Sequence, residues 1–375
     1  MKFLFNASTN VGGGGAKNSA AFLRQAVMSN DHEWHFAISP QVAAIISAWN
    51  VPQSRVTIFD SPAHSLTARR ALLKLQKSDD FDLVYTMAGP AYVEFSCPHV
   101  MGISNGYISH VDLGTFLSTR SPSRWLPDAL KIVYQSYYAR KADRLIFQTL
   151  TARDCFCRRL RYPIDHTAVV SNAFDSESFL NVAPPFFSNP LKVLVPAMAY
   201  PHKLLDHVPT IALACGDMPD ERRVEFLLTL DPGSPEWAAI AEKASRLGIA
   251  ERVRTLGTYN YADAAKVFAQ SDIVLSLSVL ETFSVTSLEA FATGRPHISA
   301  DRPWAREISG EAALYVDAHD PNSVVRAIQA LAFDEGLRQS LITSGRAMLR
   351  KYGDHSERFS NLIAVLKREV KRHPR

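Results

Sequence analysis

The stretch that most constrains the fold is residues 272–301, DIVLSLSVLETFSVTSLEAFATGRPHISAD. Ile273–Leu277 is an apolar run of strand length, and apolar residues repeat at helical spacing over residues 288–292. Gly294 follows where a helix commonly ends in the left-handed conformation, and His297–Ala300 returns as a second strand. A strand, loop, helix and strand within so few residues is typical of a parallel sheet.

Two carboxylates, Glu281 and Glu289, bracket this predicted helix. Eight helical residues rise roughly 12 Å at about 1.5 Å each, whereas a retaining glycosidase holds its two carboxyl groups about 5–5.5 Å apart. The pair is therefore not expected to flank one scissile bond. Thr282 and Ser284 are small polar residues of the kind that cap a helix, and a helix N-terminus favours phosphate groups. The sequence thus indicates an extended ligand, with phosphates at the helix and hydroxyl groups on the two acids.

The same alternation of strands and helices runs through the rest of the chain. Examples are the predicted strands Lys2–Ala7 and Leu83–Met87 in the first half, and Val193–Pro196 and Val253–Gly257 in the second. This pattern is typical of doubly wound parallel sheets. At 375 residues, the chain is long enough for two domains. We therefore predict an α/β fold with two doubly wound, Rossmann-like domains that face each other across a cleft.

A run of four glycines, Gly12–Gly15, follows the first predicted strand and precedes a helix predicted from about Lys17 to Ser29. Glycine permits positive φ and lets the backbone approach a ligand without a Cβ atom. The run is therefore predicted to be a phosphate-approaching loop, with a flexible turn as the alternative reading.

Other residues indicate neither a metal site nor a membrane span. The four cysteines form no Cys-x-x-Cys pair and no cluster with histidine, which predicts reduced thiols in a cytoplasmic protein. Asp80-Phe81-Asp82 has the spelling of a metal-binding motif, but it directly precedes an apolar strand and is interpreted as a structural turn. No apolar run approaches the roughly 18 residues needed to cross a bilayer.

Several ordered blocks resemble the retaining GT-B glycosyltransferases of family 4, the glycosyl transferases group 1. Glu281-x7-Glu289, followed by Ala290, Gly294 and Pro296, looks like the signature of that family. The further blocks that resemble the family lie at residues 143–156, 169–179, 253–278 and 306–328.

The resemblance implies a GT-B fold with an N-terminal acceptor-side domain (1–178), a nucleotide-sugar-binding domain (179–355) and a C-terminal helix (356–375) that packs back on the first domain. It also implies a metal-independent hexosyltransferase without a cofactor. That enzyme would take a UDP- or GDP-sugar as donor and a glycan or glycolipid as acceptor.

The resemblance also assigns roles to individual residues. Lys203 and the glycine loop would stabilise the departing diphosphate, a preorganised electrostatic effect. Glu289 would hold the ribose hydroxyl groups, and Glu281 would hold the sugar hydroxyl groups and the positive charge developing at the anomeric carbon. Tyr259 would contact the base. The remaining donor-binding residues implied are Gly13, Gly14, Gly15, Thr282, Phe283, Ser284 and Val285.

The sequence departs from the family pattern in three places. Ala197 stands where the family has an arginine six residues before Lys203, and Thr282-Phe283-Ser284 replaces a Gly-Phe-Gly loop. In the first domain, Ser104 and Asn105 occupy the place of a family histidine, and His110 is the nearest candidate for its role. The departures leave two alternatives open, a sugar-nucleotide epimerase and a catalytically silent sugar-nucleotide-binding module.

A basic and aromatic segment, residues 121–144, carries apolar residues that include Trp125 and Leu126 at roughly helical spacing. It is either a helix packing on its own domain or an element that binds a membrane surface or the acceptor. The net charge of +4 is unevenly distributed, since residues before 178 and after 349 are basic and those between are acidic. This separation predicts peripheral docking on the inner face of an anionic membrane, with an acidic soluble acceptor as the competing explanation.

Overall fold

The computed structural model of the chain describes residues 1–49, 51–174, 179, 182–187, 189–196, 198–217 and 223–373. These residues form two units. The first comprises Met1–Val111, Pro122–Ala173 and the stretch from Gly353, and the second comprises the described residues of Asp112–Ser121 and of 174–352.

The division differs in three respects from the sequence-based one. The main part of the second unit begins at Phe174 and the first unit resumes at Gly353, whereas the predicted limits were residues 178 and 355. The short segment Asp112–Ser121 belongs to the second unit, where the Asp112 carboxylate lies 3.8 Å from Arg302. Nothing in the local sequence indicates this, because Arg302 is far away along the chain. The predicted boundary at residue 178 lies outside the described residues.

The first half of the chain alternates strands and helices as predicted. Its elements are β1 (Lys2–Ala7), α1 (Gly13–Ser29), β2 (Glu33–Ile38), α2 (Pro40–Ile46), β3 (Val56–Ile58), α3 (Leu66–Lys77), β4 (Leu83–Thr86), β5 (His99–Gly102), α4 (Gly106–Ser109), α5 (Leu113–Ser118), α6 (Pro122–Ala139), β6 (Arg144–Phe147), α7 (Leu150–Leu160) and β7 (Thr167–Val169).

The second half repeats the alternation and ends in three consecutive helices. Its elements are β8 (Leu191–Val195), α8 (Val208–Ala214), β9 (Val224–Leu228), α9 (Pro235–Arg246), β10 (Val253–Thr255), α10 (Ala264–Phe268), β11 (Ile273–Ser276), α11 (Val285–Ala292), β12 (His297–Ala300), α12 (Pro303–Ser309), β13 (Ala313–Val316), α13 (Pro321–Phe333), α14 (Glu335–Leu349) and α15 (His355–Arg372). Among the described helices, none is long and apolar enough to cross a membrane.

Each unit contains one parallel sheet with a reversal in strand order. The described strands are ordered β3-β2-β1-β4-β5-β6-β7 in the first sheet and β10-β9-β8-β11-β12-β13 in the second. In each sheet the first strands are added on one side of a central strand, and the later strands are added on its other side. The strand order therefore reverses between β1 and β4 in the first sheet and between β8 and β11 in the second. Ligands of open α/β sheets bind beyond the carboxyl ends of the strands at such switch points. The predicted fold class is confirmed, and each unit has one such position.

Alternating side chains of the first sheet bury opposite faces. Phe5 of β1 stacks on Phe22 of α1 with ring centroids 4.6 Å apart, and Phe359 of α15 lies against the same Phe22 ring at 5.1 Å. The adjacent Leu4 joins the core on the other face. Helices α1 and α15 therefore cover the same face of this sheet.

Helix α15 is held in the first unit by apolar packing and by a buried ion pair. Phe359, Leu362 and Leu366 are buried in the core that α1 shares. Near the other end of the helix, Arg144 Nε donates to Glu369 Oε2 at 2.5 Å, and only 9% and 3% of the two side chains are exposed. The predicted return of this helix to the first domain is confirmed.

Candidate functional site

The switch point of the second unit brings two predicted catalytic segments to the same edge of the sheet. After β8, residues 201–203 form one 3-10 turn. After β11, a loop leads to Ser284 and helix α11. Since β8 and β11 are neighbours, both segments leave the sheet together. The N–H of Val279 donates to the carbonyl oxygen of His202 at 2.9 Å and joins them.

Lys203 and Glu281 form an ion pair at this position. Lys203 Nζ donates to Glu281 Oε1, and 19% and 17% of the two side chains are exposed. Ser278 Oγ donates to the same carboxylate oxygen at 2.9 Å. The two residues predicted to act on opposite ends of a nucleotide sugar are thus in direct contact with each other. The sequence did not indicate Ser278, a buried residue of the loop.

The predicted helix starting at Lys203 was wrong. Leu204 has φ 49°, in the left-handed region, and this conformation ends the turn at Lys203. The α-helix begins only at Val208. Lys203 is therefore presented by a tight turn close to the sheet.

His202, which the sequence-based prediction missed, adds a neutral ring next to the ion pair. Burial lowers the pKa of His202 to about 4, against the opposing attraction of the Glu281 carboxylate. The ring stacks on Tyr200 with centroids 5.5 Å apart. At pH 7 the imidazole is uncharged, so Lys203 is the cation that this turn presents. Adjacency to Lys203 was the only sequence signal for His202.

Helix α11 starts beside this pair. Ser284 occupies the N-cap position, but within the described part of the chain its side chain makes no capping hydrogen bond. The expected side-chain cap was therefore wrong, and the first-turn N–H groups keep the anion-attracting character of a helix N-terminus. Thr282 and Ser284 are buried, and Phe283 packs in one apolar cluster with Val285 and Tyr259.

Glu289 lies inside α11 and is 6% exposed. Such a buried carboxylate needs hydrogen-bond donors. Gly294, beyond the end of the helix, has φ 64°, which confirms the predicted left-handed residue. The helix therefore carries one acid before its N-terminus, Glu281, and one within it, Glu289.

In the first unit, the prediction that the glycine run forms a loop was wrong, because most of the run is helical. Helix α1 begins at Gly13, which has φ 56°, so Gly13, Gly14 and Gly15 form its first turn. Asn10 lies just before this turn. Its Nδ2 donates to Ser19 Oγ at 2.7 Å and to the Met87 carbonyl at 2.9 Å, which ties the chain after β1 to the helix.

The position of this turn is nevertheless the one predicted, directly after β1 at the switch point. Gly14 is exposed, and a Cβ atom added there would meet no described atom within 4 Å. Glycine in a helix costs about 0.5–1 kcal/mol relative to alanine. Packing within the described chain therefore does not explain the choice of glycine at residue 14.

Asn105 and His110 stand at the two ends of the short helix α4. Asn105 Oδ1 accepts from the N–H of Tyr107 at 3.0 Å as a helix cap, and His110 Nδ1 lies 2.8 Å from Ser109 Oγ. Both side chains are half-buried. Each has a structural contact, and their predicted catalytic roles stay predictions. Ala197, the third departure from the family pattern, lies outside the described residues.

The remaining candidates match their structural interpretation. His99 is buried in β5 with Nε2 2.8 Å from Thr86 Oγ1, and burial lowers its pKa to about 3. Asp82 Oδ2 accepts from the backbone N–H of Lys2 at 2.7 Å. The described residues include no group of three or more His, Cys, Asp or Glu arranged to hold a metal ion.

The sequence is similar to known glycosyltransferases. Residues 201–334 match the family model described as glycosyl transferases group 1. The D-inositol 3-phosphate glycosyltransferase of Corynebacterium diphtheriae is 33% identical over 137 residues, 32% of each chain. That of Corynebacterium kroppenstedtii is 27% identical over 250 residues, 62% of this chain and 53% of the relative. The chain thus spans between about a third and about half of the length of these relatives.

Solved structures extend the similarity of the fold to nearly the whole chain. Anabaena Alr3699/HepE in complex with UDP has a TM-score of 0.73 at 18% identity, over 98% of this chain and all of that one. Sucrose-phosphate synthase from Thermosynechococcus elongatus has a TM-score of 0.72 at 15% identity, over 98% of both chains. Together with the two doubly wound sheets, these similarities confirm the predicted GT-B fold. The family model matched over residues 201–334 confirms the predicted resemblance to the glycosyl transferases group 1.

Proposed function

We propose that this chain is a retaining, metal-independent hexosyltransferase that uses a UDP- or GDP-sugar as donor and a glycan or glycolipid as acceptor. The observation that carries the proposal is the contact between Lys203 and Glu281 at the switch point, directly before helix α11. A cation and a helix N-terminus suit a diphosphate, and a neighbouring carboxylate suits the hydroxyl groups of a sugar.

In this proposal the ion pair is exchanged when the donor binds. The diphosphate takes over Lys203 and the N–H groups at the start of α11, which stabilise the negative charge of the leaving group. Glu281 is then released to accept hydrogen bonds from the sugar hydroxyl groups. Its charge also stabilises the positive charge that develops at the anomeric carbon.

The other donor contacts in this proposal are those that the family resemblance implies. Glu289, buried in α11, holds the ribose hydroxyl groups, and Tyr259, packed near Phe283, contacts the base. In the first unit, the turn Gly13–Gly15 offers backbone N–H groups at a helix N-terminus, and Gly14 leaves room for a phosphate to approach. Asn105 or His110 contacts the transferred sugar.

The comparisons support a nucleotide-sugar donor and broaden the range of acceptors. Solved complexes of Alr3699/HepE contain UDP, UDP with glucose, and UDP-glucose. The relatives named D-inositol 3-phosphate glycosyltransferase make a polyol phosphate a reasonable member of an acceptor panel beside glycans and glycolipids.

Mass spectrometry of reactions with a panel of UDP- and GDP-sugars tests the proposal. We expect a hexose-transfer product with one donor, formed equally well in excess EDTA, with the anomeric configuration of the donor retained in the NMR spectrum. Lys203→Met should abolish most of the transfer, whereas Lys266→Met, which removes an exposed lysine of the same unit, should not. Conversion of the donor to an isomer would instead indicate an epimerase, and donor binding without turnover would indicate a silent module.

We also propose that helix α6 docks the protein on an anionic membrane surface. Leu126, Leu130, Val133 and Tyr137 lie three or four residues apart, so they share one side of the helix, and each is more than half exposed. Packing on the protein's own core, one of the two sequence-based readings of this segment, is thus wrong for these residues. Exposed apolar side chains among basic residues are typical of interfacial helices.

Sedimentation with vesicles tests the docking. We expect binding to vesicles rich in anionic lipid at low salt, little binding to neutral vesicles, and a loss of binding in Leu130→Glu. Leu213→Glu, at another exposed leucine, serves as the control for added negative charge. Absence of sedimentation with anionic vesicles at low salt would favour an acidic soluble acceptor as the explanation of the basic surface.

A further inference from the structure

Helix α15 carries a buried arginine that has no counter-charge among the described residues. Arg358 is 8% exposed, and its Nε atom is shielded from solvent. Across the described residues, its guanidinium has neither a hydrogen-bond acceptor nor an acidic partner. Removing a charge from water without compensation costs several kcal/mol. Burial accordingly lowers the pKa of Arg358.

The other buried arginines show how this fold normally satisfies such a group. Arg144 is paired with Glu369 on the same helix α15. Arg295, in the second unit, donates to the backbone carbonyl groups of Ser271, Thr293 and neighbouring segments. Arg358 has neither kind of partner among the residues that the structure describes, so a structural role as a buried hydrogen-bond donor does not account for it.

A second donor with a weak partner, the Tyr85 hydroxyl, lies in the same core as the helix that carries Arg358. The Tyr85 side chain is fully buried and interacts electrostatically with the guanidinium. Within the described part of the chain, its hydroxyl donates only to the Met87 sulfur, at 3.4 Å, and a thioether is a weak acceptor. Among the described residues, this part of the core therefore holds two donors with little to accept from them.

That place lies near the switch point of the first unit. Tyr85 is in β4, beside β1, and its hydroxyl is 3.8 Å from where a Cβ atom on Gly102, the last residue of β5, would lie. Phe22 of α1 contacts both Tyr85 and Phe359, the residue after Arg358. The two donors thus lie near the carboxyl ends of the central strands, where open α/β sheets bind ligands.

We propose that Arg358 and the Tyr85 hydroxyl bind an oxyanion, the phosphate group of a small ligand, in the first unit. Phosphate supplies several acceptor oxygens and the negative charge that the buried guanidinium requires. Naming the acceptor sugar or polyol as the carrier of this phosphate rests on the proposed function, whereas the anion site itself does not.

Calorimetry with inorganic phosphate tests the site, with UDP present at saturation so that the donor diphosphate position is filled. We expect phosphate to bind the wild-type protein and to bind Arg358→Met at least tenfold more weakly. The matched control is Arg368→Met, which removes an exposed arginine from the same helix and should change phosphate affinity less than twofold. Tyr85→Phe, which keeps the ring, should weaken binding by a smaller factor. Equal phosphate binding in wild type and Arg358→Met, or none in wild type, would overturn the site.

Thermal unfolding separates this role from a structural one. In phosphate-free buffer, Arg358→Met should melt at or above the wild-type temperature, because it removes a buried charge that lacks a partner. Added phosphate should raise the Tm of wild type and of Arg368→Met but not of Arg358→Met. A lower Tm of Arg358→Met without phosphate would show that the arginine stabilises the fold and would contradict the proposal.

A competition experiment identifies the carrier of the phosphate. D-inositol 3-phosphate should displace inorganic phosphate from the wild-type protein, and unphosphorylated inositol should not. If neither D-inositol 3-phosphate nor inositol displaces inorganic phosphate, the site binds free phosphate only. That result would overturn the assignment of the phosphate to the acceptor. UDP binding, measured separately in Arg358→Met, should stay as in wild type. Loss of UDP binding in the wild-type protein itself would count against the proposed function, not against the anion site.

Discussion

Replacing Glu281 by glutamine should increase the affinity of the protein for UDP while it lowers sugar transfer. In the structure, Glu281 holds Lys203, the proposed diphosphate ligand, in an ion pair. UDP must displace this carboxylate before its phosphates can use the lysine. UDP lacks the sugar that Glu281 is proposed to hold. The Glu281→Gln variant therefore removes a competitor for Lys203 and does not remove any proposed contact with UDP.

The size of the effect follows from the burial of the pair. Hydrogen bonds to fully buried charged groups contribute about 1.5–3 kcal/mol, and exposed ion pairs about 0.2–1 kcal/mol. With 19% and 17% of the side chains exposed, the contact lies between these ranges, at about 1 kcal/mol. Its removal should strengthen UDP binding about fivefold, since about 1.4 kcal/mol corresponds to a factor of ten.

Isothermal titration with UDP measures this change, and a transfer assay with the nucleotide sugar measures the accompanying loss of turnover. Glu311→Gln removes an exposed carboxylate from the same unit and should leave UDP affinity within twofold of wild type. Weaker binding of UDP to Glu281→Gln would refute the reasoning, because it would mean that the carboxylate assists Lys203 and does not compete for it.

Three further predictions concern the buried acid, the first unit and the response to acid. Glu289→Ala should weaken binding of the donor roughly ten- to a hundredfold in calorimetry, because a charged hydrogen bond is worth about 1.5–3 kcal/mol, and unchanged affinity in a folded variant would contradict the ribose assignment. If His110 contacts the sugar, His110→Ala should reduce turnover at least about tenfold and Asn105→Ala less, whereas the reverse order would assign the role to Asn105. The folded state holds His99 neutral with its pKa lowered to about 3, so the unfolded chain binds more protons below the ordinary histidine pKa of about 6.5, and stability should fall as pH decreases from about 6.5 to 3. In urea titrations, the free energy of unfolding of His99→Gln should fall less steeply with pH across that range. An unchanged pH dependence would exclude His99 as a source of the loss of stability in acid.

Where the determining contacts are local, the sequence predicted the structure closely. Strand β1 has its predicted bounds, Lys2–Ala7, because its apolar residues are contiguous in the sequence. Gly294 takes the expected φ because the residue type itself permits it. The doubly wound fold class was predicted from the alternation of elements, and the Lys203 and Glu281 segments were identified from the family resemblance.

Where distant residues decide, the sequence was insufficient. Helix α1 starts at Gly13, earlier than predicted. The residue before its first turn that is best anchored, Asn10, bonds to Ser19 and to Met87, and Met87 lies far along the chain. Arg358 reads from the sequence as one more basic residue of an amphipathic helix. Its burial depends on β4 and α1, which precede it by more than 250 residues.

The return of the chain to its first unit imposes an order on folding during synthesis. Phe359, Leu362 and Leu366 complete a core whose other members, such as Phe5 and Phe22, leave the ribosome long before. At about 5–20 residues per second, synthesis of the intervening chain from Ala173 to Gly353 takes roughly 10–40 s. During that interval the sheet face next to α1 lacks its second covering helix, while the second unit can already collect its own strands in sequence. The unit that is translated first is therefore the one that finishes folding last, and its exposed aromatic face is the surface that a nascent-chain chaperone would meet.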